Sequence, residues 1–231
     1  MTEIKKRFHS IIDTIRQTER LHGRADGSVE LLAVSKTWPA ENLRAVAELG
    51  QRQFGENYLQ EALEKIDALS DLNLEWHFIG PIQSNKTRDI AAKFDWVQSV
   101  DRLKIARRLH EQRPADLPPL NICIQVNIDD EATKSGISAD QCLTLAAELA
   151  QLDRLRLRGL MVIPAKQTEE TAQRDSFRRA HELFNTLQQQ FESVDTLSMG
   201  MTGDLEAAIA EGSTLVRIGT ALFGQRTPPR Q

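Results

Sequence analysis

The sequence predicts an α/β protein, a single (β/α)8 TIM-type barrel with an N-terminal helix. Three observations lead there. Eight short apolar runs alternate with seven longer amphipathic ones across 231 residues, the signature of a parallel α/β fold. Eight such units in about 200 residues suit a closed barrel better than an open sheet. An open doubly wound sheet would carry a glycine-rich turn after its first strand, and SKTWP stands there instead.

The first 22 residues read as a helix, with Ile4, Phe8, Ile11, Ile12 and Ile15 at three- and four-residue spacing and Gly23 beyond. The apolar runs that read as strands are 29–36, 52–55, 76–80, 95–100, 121–127, 157–163, 195–200 and 214–219. Helical patterns cover 39–49, 56–69, 84–93, 101–113, 138–151, 168–191 and 203–211, and TALFG adds a short turn after the last strand. Pro114, Pro118 and Pro119 mark a loop, not a linker, so residues 1–231 are expected to form one domain. The tail TPPRQ is expected to fray.

Composition narrows the function. The chain is 40% hydrophobic and 27% charged, with a net charge of −4. That is ordinary globular composition without the basic excess of a nucleic-acid binder. The arginines at 154, 156 and 158 read as a solvated face. Cys123 and Cys142 form no CxxC pair, which argues against disulfides and zinc, and Cys123 reads as a small core residue. The five histidines include no i,i+4 pair, so no metal site is expected. The charged N-terminus does not read as a leader, and no apolar run is long enough for a membrane span. A cytoplasmic monomer is expected, since no segment reads as a committed dimer interface.

In a barrel the chemistry collects at the C-terminal ends of the strands. Lys36 closes the run LLAVSK, where burial would favour a neutral, nucleophilic amine. The alternative is a lysine that snorkels out of the barrel mouth. The seventh and eighth strands end in SMGMTGD and RIGT. Barrel phosphate sites often form from these two loops and a short extra helix. Gly200, Gly203 and Gly219 would admit an anion to the backbone, and Thr202 and Thr220 would donate hydroxyls. These residues are equally readable as turn glycines and a helix cap. Arg217 shares a strand face with Gly219 and would face a ligand from the interior or form a structural salt bridge. His77 reads as a satisfied core histidine, Glu56 and Asp204 as first-turn helix charges, and Asn127 and Lys134 as flanks of a loop over the mouth.

The segments LLAVSKTWPAENL, GQRQFGENYLQEA, LEWHFIGPIQSNK, TLSMGMTGDLEAAI and GSTLVRIGTALFG together resemble the pyridoxal phosphate homeostasis proteins, over residues 29–224. The resemblance implies the barrel of alanine racemase without that enzyme's second domain. It implies pyridoxal 5′-phosphate (PLP) held as a Schiff base on Lys36, with Arg217 facing the pyridine nitrogen. It places the phosphate on Met201, Thr202, Gly219 and Thr220 with Ser198 or Gly200 close by, and Asn57 and Met161 near the ring. Apo forms of PLP enzymes would be transient partners in PLP homeostasis and delivery. A cationic Arg217 would keep the ring nitrogen unprotonated and weaken the ring as an electron sink. Thr202 stands where many members are expected to carry serine, and Trp38 where some carry a second lysine, a role that Lys134 would then take. The alternatives are a PLP-dependent amino-acid racemase, which needs a second acid/base such as Tyr58, and an imine-forming aldolase.

Overall fold

The computed structural model describes residues 3–225; the tail whose fraying was expected lies outside the described residues. Helix α1 (Glu3–Leu21) buries Phe8, Ile11 and Ile15, with Ile4 and Ile12 partly covered. Eight strands follow: β1 (Glu30–Val34), β2 (Gln53–Glu56), β3 (Glu75–Phe78), β4 (Trp96–Val100), β5 (Leu120–Val126), β6 (Leu155–Val162), β7 (Thr196–Ser198) and β8 (Leu215–Ile218). They pair in chain order, all parallel, and β8 returns to β1 to close the barrel. Between them lie α2 (Ala40–Ala47), α3 (Leu59–Ala68), α4 (Thr87–Lys93), α5 (Leu103–Gln112), α6 (Cys142–Leu149), α7 (Glu170–Gln188) and α8 (Leu205–Ala210); α9 (Thr220–Phe223) follows β8.

All eight predicted strands form, with boundaries moved by pairing. β6 starts at Leu155 instead of 157, because Leu155 is buried and pairs with Leu120. β2 extends through Glu56, and α3 starts only at Leu59, so Glu56 is no first-turn helix charge. Its carboxylate lies inside the fold, fully buried and ion-paired with Lys65.

The main apolar core fills the layer between barrel and helices, where Phe54, Phe94, Phe177, Leu43 and Ile105 are fully buried. A smaller cluster, Trp96, Cys123 and Met161, comes from three successive strands and stays separate from that layer. The Arg158 guanidinium lies 4.6 Å above the Trp96 ring. Both cysteines are buried and unpaired, and burial pushes each thiol up to about 12. No described helix is long and apolar enough to cross a membrane. No group of three or more potential metal-ligating His, Cys, Asp or Glu side chains occurs among the described residues.

The turn from α1 into β1 is organised by Glu19. Its buried carboxylate accepts hydrogen bonds from Arg16 at 2.6 Å and from the Gly27 and Val29 amides at 3.1 and 2.7 Å. Burial works to raise this carboxyl, but Arg16 and the two amides outweigh it and hold it below the ordinary glutamate value. A depressed folded value means stability that is fully present above about pH 4.3 and lost as pH falls through the folded value. Glu19→Gln is therefore expected to lower stability by about 1–3 kcal/mol at pH 7. Urea midpoints of the two proteins should converge below pH 4; a constant gap across that range would refute the assignment.

Candidate functional site

A cavity of about 330 Å3 opens among the C-terminal ends of the strands. Lys36, Asn57, Met161, Met201, Thr202, Arg217, Gly219 and Thr220 all line it, beside Val34, Trp38, Ile79, Ile163 and Gly203. The sequence singled out the first eight, and Gly203 with them as a residue that would admit an anion. The remaining two candidates, Ser198 and Gly200, are not in the lining. Gly200 has φ +97°, and a Cβ there would come 2.6 Å from the Cβ of Ala208. Its carbonyl accepts the Arg217 amide at 2.9 Å. Gly200 therefore shapes the approach of the β7 end to α8.

Lys36 is half-buried and sits in a tight turn, closed by the Trp38 amide donating to the Ser35 carbonyl at 3.1 Å. Thr37 in this turn takes φ +69°, a left-handed conformation that is costly for a β-branched residue. A buried polar cluster holds both neighbours of Lys36. The Ser35 hydroxyl donates to Glu56 Oε1 at 2.6 Å, and Lys65 Nζ donates to the Ser35 carbonyl at 2.8 Å and to Glu56 Oε1 at 2.7 Å. Glu61 accepts from Lys65 and from the Thr37 amide. Burial pushes the Glu56 carboxyl up, and the Lys65 ammonium opposes it. Glu61 and Lys65 gave no functional signal in the sequence, because a charge at helical spacing reads as a solvated face.

Arg217 enters the cavity from the barrel interior and is 5% exposed. Its Nη1 donates to Ser198 Oγ and its Nη2 to the Val162 carbonyl, each at 2.9 Å. Burial draws the guanidinium down to about 10, against the pull of the Asp204 carboxylate, which leaves it cationic at neutral pH. Asp204 accepts the Met201 amide at 2.5 Å just ahead of α8. Gly219 lies flat against β1, where a Cβ would come 3.1 Å from the Val34 carbonyl oxygen. Trp38 stacks on Phe223 of α9 with centroids 5.8 Å apart, so the position expected to hold a second lysine in some relatives here packs the segment that follows Gly219.

The other candidates fall outside this cavity. His77 points to the opposite end of the barrel, where it lines a second cavity of about 260 Å3 and bonds to Glu75 and Gln98. Asn127 fixes its own loop through both polar atoms of its side chain to Glu131. Lys134 donates to the Ile163 and Pro164 carbonyls, which ties that loop to the end of β6. Tyr58 is 57% exposed.

The family model for the N-terminal domain of alanine racemase matches residues 12–227. A pyridoxal phosphate homeostasis protein of Pseudomonas aeruginosa is 57% identical over 226 residues, which is 98% of this chain and 97% of that one. Its counterpart in Escherichia coli K12 is 51% identical and covers 98% of each chain. Among solved structures, PipY of Synechococcus elongatus with PLP bound superposes with a TM-score of 0.78 at 38% identity, over 91% of this chain and 100% of that one. Residue by residue, barrel by barrel and over nearly its whole length, the chain belongs to the pyridoxal phosphate homeostasis protein family.

Proposed function

We propose that the chain binds PLP in the cavity at the C-terminal mouth of the barrel, holds it as a Schiff base on Lys36, and serves PLP homeostasis and delivery. The observation that carries this reading is the make-up of the lining: among the described residues its charged side chains are one amine, Lys36, and one guanidinium, Arg217. PLP supplies an aldehyde that condenses with a primary amine and a ring that withdraws electrons from what is attached. The residues present suit it. The cavity falls at the small end of ordinary ligand pockets. Asn57 Oδ1 is buried without a hydrogen-bond partner and lines that space, ready for a ring substituent. Thr202 and Thr220 bring hydroxyls to the side where Gly203 and Gly219 line the cavity, while Ser198 and Gly200 act from behind the lining, the one on the Arg217 side chain and the other on its amide. The homeostasis names of the relatives and the PLP in PipY support the same assignment.

Holding fits this lining better than turnover. A PLP racemase needs a second proton carrier across the ring from its lysine. Among the described residues the lining contains no carboxylate, histidine, tyrosine or thiol. The cationic Arg217 would leave the ring nitrogen unprotonated and the electron sink weak. In this reading the protein is a cytoplasmic monomer that passes PLP to apo enzymes by transient contact.

Purified protein loaded with PLP should show a visible imine band that borohydride bleaches, with the pyridoxyl mass fixed on Lys36 in peptide maps. A mass on any other lysine, or no uptake of PLP, would overturn the assignment. The buried cluster around Ser35 and Thr37 yields a second expectation. Lys65→Met strands the Glu56 carboxylate and should cost about 3–5 kcal/mol in urea unfolding, whereas the double change Glu56→Leu with Lys65→Met should recover most of it. Both variants should load PLP more weakly than the wild type, because the turn that presents Lys36 loses its anchor; undiminished loading by the double variant would show that the cluster serves stability alone.

A further inference from the structure

Five side chains form a continuous hydrogen-bonded chain that starts at Arg217 and runs through the barrel away from the cavity. Arg217 Nη1 donates to Ser198 Oγ at 2.9 Å, and the Ser198 hydroxyl donates to Gln98 Oε1 at 2.7 Å. Gln98 Nε2 then meets His77 Nδ1 at 2.8 Å, and His77 Nε2 meets Glu75 Oε1 at 2.9 Å. The residues come from β8, β7, β4 and β3. Ser198 and Gln98 are fully buried and His77 is 1% exposed.

We infer that Ser198, Gln98, His77 and Glu75 are positioning residues that set the orientation of the Arg217 guanidinium toward the ring nitrogen of PLP. The inference rests on the reading that Arg217 meets that nitrogen. The direction of the chain follows from its ends. An arginine only donates and an ionised carboxylate only accepts. Every link between them therefore donates away from Arg217, which assigns the proton of His77 to Nε2 and leaves Nδ1 as an acceptor. Turning the Gln98 amide over would aim a second donor at Ser198 Oγ and take away the acceptor of the serine proton. It would also require a proton on His77 Nδ1. The Glu75 carboxyl agrees with this direction: burial raises it, but the hydrogen bond from His77 and its charge environment hold it below the ordinary value. With Nη2 fixed on the Val162 carbonyl, the guanidinium is anchored at two points and presents one defined edge to the cavity. The middle links of the hydrogen-bonded chain, Ser198 and Gln98, are cut off from water, and such buried polar links specify orientation more sharply than an apolar filling does.

The test compares PLP with an analogue that carries carbon in place of the ring nitrogen, titrated by visible absorbance into wild type, Gln98→Leu and Ser198→Ala. The wild type should prefer PLP by about tenfold or more, the size of a hydrogen bond to a charged donor. Each variant should lose most of that preference while it still forms the imine with both ligands. A wild-type preference that both variants keep in full would overturn the positioning chain and leave the Arg217 reading standing. A wild type without preference would remove the Arg217 reading and the chain with it. Nitrogen-15 NMR of His77 in the cofactor-free wild type decides the matter even where a variant fails to fold: a protonated Nε2 and bare Nδ1 support the chain, and a proton on Nδ1 overturns it.

Discussion

The site depends on the seam where β8 closes on β1. Four residue pairs define its register, among them Leu32 with Arg217 and Ala33 with Ile218. This register brings the Lys36 turn and the Arg217–Thr220 segment, from opposite ends of the chain, to the rim of one cavity. Gly219 is what lets the seam close so tightly, since its missing Cβ leaves room for the Val34 carbonyl. Beyond the seam the same two segments are held again. Trp38 stacks on Phe223, and Arg7 of α1 donates to the Phe223 carbonyl at 3.1 Å. The N-terminal helix thus takes part in holding the segment after Gly219 in place.

Electrostatics complete what the seam begins. A buried ion pair is a weak source of net stability, because desolvation offsets most of the attraction. Its value lies in what it forbids. Lys65 and Glu56 each reach for Ser35, and Glu61 reaches for the Thr37 amide, so the turn that carries Lys36 has few alternative conformations. The left-handed Thr37 is tolerated within that frame. On the far side of the cavity Arg217 is held just as firmly, by Ser198 and the Val162 carbonyl. The turn that carries Lys36 and the Arg217 side chain are held independently, each by its own interior network.

Much of this was legible in the sequence, for physical reasons. The alternation of strands and helices follows from burial periodicity. The barrel rule then sends the search to strand ends, where Lys36, the 201–202 loop and Arg217 stand. Glu56 was misread because a carboxylate ahead of an amphipathic run looks like a helix-start charge; its role depends on Lys65, nine residues on, turning inward from α3. Gln98 was invisible for a different reason. In DWVQSV it shares a strand face with Trp96 and Val100, and periodicity marks such a face as buried without showing that its polar member joins a network inside a closed barrel. Ser198 and Gly200 are expected at the site from the sequence, but neither lines the cavity, because side-chain direction and backbone packing, which spacing does not encode, turn them away from it.

The two buried thiols bear on how the chain would hold an aldehyde. Thiolates add to aldehydes and compete with amines for them. Burial pushes both cysteines up to about 12, which disfavours the thiolate, and neither lines the cavity. On the proposed reading, an aldehyde in the cavity would meet the Lys36 amine and no cysteine sulfur, and would leave by exchange with another amine or with water.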